Sequence, residues 1–167
     1  MKKMKKLVLL SCILLAMGTQ AQDFGGKFLV KDSEFYNKPF VFSNRGETEK
    51  MIEFINAYNA MDIAKCTSYI AEKCEVTGFD GVKTSLNKED WKNYFANYKS
   101  INWNVLSIVP LRIKDSDPVS GVLVNSIETR IGKDGSVWEK ELIELFVFDL
   151  DLKISKINQF SQDIPKK

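Results

Sequence analysis

The strongest constraint on this chain lies between Ser136 and Phe160, where two apolar-rich strand patterns are joined by the polar turn Asp149-Leu150-Asp151. A second turn, Lys133-Asp134-Gly135, ties that pair to an earlier strand pattern. Turn residues set between alternating apolar runs predict an antiparallel meander. The half of the chain that precedes it has helical spacing, so the sequence predicts an α+β fold with helices packed on an antiparallel sheet.

The helical half starts at Glu47. Met51, Phe54, Ile55 and Tyr58 recur at the spacing of one helix face, and Glu47 and Glu49 suit the positive end of its dipole. Asp62 reads as the N-cap of a second helix with Ile63, Cys66, Tyr69 and Ile70 on its inner face. A short strand, Glu75 to Phe79, precedes the Asp80-Gly81 turn. Asn87 then caps a third helix in a box with Asp90, and Trp91, Tyr94, Phe95 and Tyr98 form its aromatic face. From Ile101 the period changes to two, and four strands follow: Ile101 to Leu111, Val119 to Ile131, Val137 to Phe148 and Leu152 to Phe160.

The N-terminus has the three parts of a secretory signal: four lysines among the first six residues, an apolar block from Leu7 to Met17, and small residues up to Ala21. This block of eleven residues falls short of the roughly 20 needed to span a bilayer. Cleavage after Ala21 is the expectation, which makes the protein secreted or periplasmic. The rival is a lipoprotein signal, because Leu9-Leu10-Ser11-Cys12 resembles a lipobox. The division is a leader over 1–21, a lead-in over 22–46 that adds an edge strand or an arm, and one domain over 47–167.

Removing 21 of the 167 residues leaves 146, the size of one domain with one core. The leader holds four of the 24 basic residues and none of the 22 acidic ones, so the remainder carries a net charge of about −2. No sustained basic run remains, and a nucleic-acid partner is not expected. Cys66 and Cys74 stay in an oxidising compartment. Within one continuous helix they would lie about 12 Å apart, beyond disulfide reach. They either bridge, if the helix ends near Ala71, or sit as two small buried hydrophobes.

The chain has no histidine. That removes Ser-His-Asp and Cys-His catalysis and histidine-ligated metal sites. There is no Walker-type loop, no dinucleotide fingerprint and no CxxC, so no cofactor or metal is expected.

Two helices broken at Asp62, a short strand, an aromatic third helix and a four-strand meander together resemble the nuclear transport factor 2-like superfamily, in particular its SnoaL-like branch. The residues that carry the resemblance are Phe54-Ile55-Asn56-Ala57-Tyr58-Asn59-Ala60-Met61-Asp62, and the ending Phe146-Val147-Phe148-Asp149 with Lys153-Ile154 and Ile157-Asn158-Gln159-Phe160. It implies a cone-shaped, curved antiparallel sheet wrapped around about three N-terminal helices, with a pocket inside. It also implies a sheet surface through which related proteins pair, so a homodimer is a further expectation. Some members are isomerases, cyclases or dehydratases, and others bind a ligand or a partner without catalysis. Placed against ketosteroid isomerase-like members, this chain has Phe54 at the tyrosine donor position. The base position falls near Gly78, two residues from Asp80, and only Glu141 corresponds to the donor acid. With two of three roles missing, that activity does not carry over.

The remaining chemistry lies with carboxylates, tyrosines and amides. Trp138, Leu142, Glu144, Phe146 and Phe148 share one side of a strand. If that side faces a pocket, burial raises the Glu144 pKa and gives it an acid/base role, with Glu141 as the other candidate. The favoured alternative is an ion pair across the sheet with Arg112 or Arg130. Tyr58, Trp91, Tyr94, Tyr98 and Trp103 are candidates for the pocket wall, or plain core. Asn125 and Gln159 could offer a ligand fixed hydrogen bonds. The leading expectation is a pocket for a small apolar or amphipathic molecule without turnover. An isomerase-like or cyclase-like enzyme and a dimeric interaction module are the alternatives.

Overall fold

A computed structural model of the protein describes residues 26–116 and 120–164. The expected leader over 1–21, with Cys12, the start of the lead-in and the terminal lysines lie outside the described residues. The elements in chain order are β1 (Phe40–Phe42), α1 (Glu47–Asn59), α2 (Ile63–Tyr69), β2 (Ile70–Thr77), β3 (Lys83–Leu86), α3 (Lys88–Ala96), β4 (Tyr98–Ile113), β5 (Ser120–Gly132), β6 (Val137–Phe148) and β7 (Ile154–Gln162). The seven strands form one sheet in the order β1-β4-β5-β6-β7-β2-β3. All neighbours are antiparallel except β2 and β7. The fold is therefore α+β, with a curved, unclosed sheet around three helices.

Local chemistry sets the helix boundaries. Gly46 enters α1 at φ 99°, a conformation that glycine adopts without steric cost. Glu47, 1% exposed, accepts hydrogen bonds from the Ser43 hydroxyl and, at 2.8 Å, from the Arg45 amide. This anchors the positive end of α1. Asp62 caps α2 by accepting from the Lys65 amide at 3.0 Å, and Asn87 and Asp90 make the reciprocal capping box of α3. The helix α2 passes directly into β2, so the strand begins at Ile70 rather than near Glu75. β3 was not anticipated because Lys-Thr-Ser-Leu carries one apolar residue and three exposed ones. The lead-in contributes the edge strand β1, paired with β4.

Alternation along the long strands puts one face against the helices. On β5 the buried side chains are Ser120, Val122, Val124, Ser126 and Glu128, and on β6 they are Leu142, Glu144, Phe146 and Phe148. Register shifts leave Leu106 in β4 and Ser155 in β7 as extra residues, which bend those strands as bulges do. At the centre, the Phe54 ring lies 6.0–6.3 Å from Tyr58, Tyr69, Trp91, Trp103 and Phe146. Cys66 and Cys74 are both buried free thiols, although α2 ends early enough to have permitted a bridge. Burial pushes their pKa values up to about 12 and about 11. Among the described residues no helix is long and apolar enough to cross a membrane.

Candidate functional site

The inner face of β5, β6 and β7 does not close completely on α1 and α3. A cavity of about 180 Å³ remains, walled by Phe54, Trp91, Trp103, Phe146 and Ile157, with polar groups from six elements. Around it Phe54 meets Trp91 and Trp103, and Tyr58 meets Trp91, edge to face.

One end of the cavity is a closed hydrogen-bond network. Arg130 and Glu128 are two apart on β5 and share its inner face. Arg130 Nε donates to Glu128 Oε1 at 2.9 Å and its Nη2 to Oε2 at 2.7 Å. The guanidinium lies 4.0 Å from the centre of the Trp138 ring and within 6.0 Å of those of Tyr94 and Tyr98. Burial opposes its charge, but the bond to Glu128 and the neighbouring tyrosines hold its pKa above the ordinary value. Tyr58 donates to Glu128 Oε1 at 2.7 Å. Because that proton is spent, the 2.6 Å contact between the two tyrosine oxygens has Tyr94 donating to Tyr58. Burial raises the pKa of both phenols, so both stay protonated. Both phenol protons of this network are committed to Glu128, directly or through Tyr58.

The other polar group is Glu144, 3% exposed. Gln159, its cross-strand neighbour on β7, donates to Oε1 at 2.7 Å, while Oε2 is buried without a partner. Burial raises the carboxyl pKa to about 7, assisted by the negative charge of Glu128 and opposed by the Gln159 bond and by Arg130. The indole Nε1 of Trp91 is likewise buried and unpaired, whereas that of Trp103 donates to Ser126 at 2.8 Å.

The structure brings Tyr58, Trp91, Tyr94, Trp103, Glu144 and Gln159 to this one cavity. It does not bring the other candidates there. Tyr98 packs behind Tyr94 with its ring tilted, centroids 5.1 Å apart, and is not part of the wall. Asn125 alternates with Val124 and Ser126 and so points to the outer face. Glu141 also faces outward, accepting from Gln162 at 2.7 Å, which removes it as an internal acid. The favoured ion pair between Glu144 and an arginine is not formed: Arg130 is bound to Glu128, and Glu144 is held by an amide. Glu128 was missed as a site residue. The signal was its i, i+2 relation to Arg130, which puts both on one side of a strand.

In sequence, no protein-family model and no curated protein matches the chain. In structure, it is similar to a SnoaL-like protein of unknown function from Burkholderia thailandensis, with 15% identity over 73% of this chain and 98% of that one and a TM-score of 0.53. It is similar to a nuclear transport factor 2-like protein of unknown function from Exiguobacterium, with 14% identity, 69% and 99% coverage and a TM-score of 0.53. A ketosteroid isomerase-like protein from Erwinia carotovora matches at 13% identity, 73% and 100% coverage and a TM-score of 0.54. At these identities the likeness is one of fold. The chain has the nuclear transport factor 2-like fold, the fold of SnoaL-like and ketosteroid isomerase-like proteins.

Proposed function

We propose that the protein binds a small, largely apolar molecule in the cavity between α1, α3 and the sheet, without turning it over. The observation that carries this reading is the unpartnered Oε2 of Glu144 on a wall it shares with Phe54, Trp91, Trp103 and Phe146. A buried polar atom without a partner is costly, and a ligand that satisfies it recovers that cost. The volume is below the roughly 300–1,000 Å³ of drug-sized sites, which favours a compact ligand. The committed protons of Tyr58 and Tyr94 support binding without catalysis, because neither phenol has a proton left to stabilise an oxyanion on a substrate. A thermal-shift screen of single-ring and short-chain metabolites, followed by calorimetry, tests it. Stabilisation by at least one class is expected, and none by any class would refute it.

One observation favours a second reading as an enzyme of the isomerase or cyclase type. The Glu144 pKa near neutrality suits a group that both takes and gives a proton. The test is deuterium exchange into carbonyl compounds in heavy water, lost in Glu144→Gln. The outer face favours a third reading, a second copy docked on the sheet. Ile143, 49% exposed, lies opposite Phe160, 64% exposed, in the middle of that face. Light scattering that returns a monomer would end it. The leader over 1–21 supports export with cleavage after Ala21, and a mature mass beginning at Gln22 is the expected result.

A further inference from the structure

The cavity has a definite electrostatic character, and its sign identifies the kind of molecule it takes. Among the described residues of its wall the one cation is Arg130, and its Nε and Nη2 are both given to Glu128. That pair cancels within the wall. What remains is the Glu144 carboxyl in the interior and the Asp90 carboxylate at the start of α3, which accepts the Asn87 amide in its capping box. Tyr58 and Tyr94 add no charge, being held as phenols. An anion entering the cavity therefore meets the Glu144 and Asp90 carboxyls and no free cation among the described residues of that wall.

A cation meets the opposite. The faces of aromatic rings carry negative potential and attract an ammonium group, the more so when water is excluded. Gln159 already donates to Oε1, an arrangement that favours the ionised carboxylate. The second oxygen is then an acceptor lacking its donor.

We propose that the occupant is a small organic cation, a protonated amine carried on a single ring or short apolar chain, whose N–H groups pair with Oε2 of Glu144 among the rings of Phe54, Trp91 and Trp103. This rests on the reading of the cavity as a binding site. A neutral carbonyl compound would use the same oxygen with the proton on the protein side, and the two cases differ in pH dependence.

The test is calorimetric titration of the protein with benzylamine, benzyl alcohol and benzoate. Benzylamine binds most tightly at pH 8, at least tenfold tighter than the alcohol, and benzoate does not bind. Because binding needs the ionised carboxyl, benzylamine affinity falls about tenfold from pH 8 to pH 6, following the ionised fraction of a group that titrates at about 7. In two buffers of different ionisation heat at pH 7, benzylamine releases about half a proton, whereas a carbonyl acceptor takes protons up. Glu144→Gln abolishes the preference for the amine and keeps the alcohol. If that variant does not fold, the wild-type pH dependence reads the same group. Alcohol binding equal to or tighter than amine binding overturns the cation and leaves the cavity reading standing. Absence of binding by all three probes and by the wider screen, with the protein folded, overturns both.

Discussion

Replacing Glu144 by glutamine should stabilise the protein at alkaline pH and leave it unchanged in acid. The side chain is 3% exposed, and its carboxyl, ordinarily at 4.5, titrates at about 7 in the fold. Below pH 4.5 the folded and unfolded chains both hold the proton. Between 4.5 and 7 the unfolded chain has released it while the folded chain retains it, so wild-type stability falls as pH rises through that window. Above 7 the full difference stands, about 3 kcal/mol at ~1.4 kcal/mol per tenfold. Glutamine keeps the shape and the acceptor for Gln159, and its outward NH2 is no worse placed than the unpartnered Oε2. In paired urea titrations, Glu144→Gln should therefore equal wild type at pH 4 and exceed it by about 3 kcal/mol at pH 8. That corresponds to a rise in Tm of about 6–12 °C for a domain of this size. A difference independent of pH, or a variant weaker than wild type at pH 8, would refute the burial argument.

Tyr58→Phe removes a donor to a charged acceptor and strands the Tyr94 hydroxyl, so urea titration should show a loss of about 1.5–3 kcal/mol. Arg130→Met leaves the Glu128 carboxylate buried with no counter-charge and should cost about 3–5 kcal/mol by the same measurement, more than the Tyr58 variant. In the unfolded, unreduced protein beginning at Gln22, Ellman titration should count two thiols, Cys66 and Cys74. In the folded protein at pH 8 both should react slowly, because burial blocks access and suppresses the thiolate.

The parts of this architecture that were legible in the sequence are those in which one residue type performs one local task. Asp62, Asn87 and Asp90 announced the starts of α2 and α3, and the Asp149-Leu150-Asp151 turn placed the break between β6 and β7. The stripe Leu142-Glu144-Phe146-Phe148 was visible because its outer neighbours on β6 are more mixed. β5 was harder. Its outer positions Leu123, Ile127 and Ile131 are as apolar as its inner Val122 and Val124, so alternation did not say which face is inside. Asn125 was accordingly put on the wrong side, and the Glu128–Arg130 pair was not recognised. Pairing register settles such a choice, and a single strand does not contain it.

Cavity and chemistry both depend on Glu144 being an enclosed carboxyl, and the carbon-13 chemical shift of its side-chain carboxyl, followed from pH 3 to pH 9, measures that directly. An inflection near pH 7 is the predicted result. An inflection near 4.5 would mean that water reaches the group freely, and the account of the site would be contradicted.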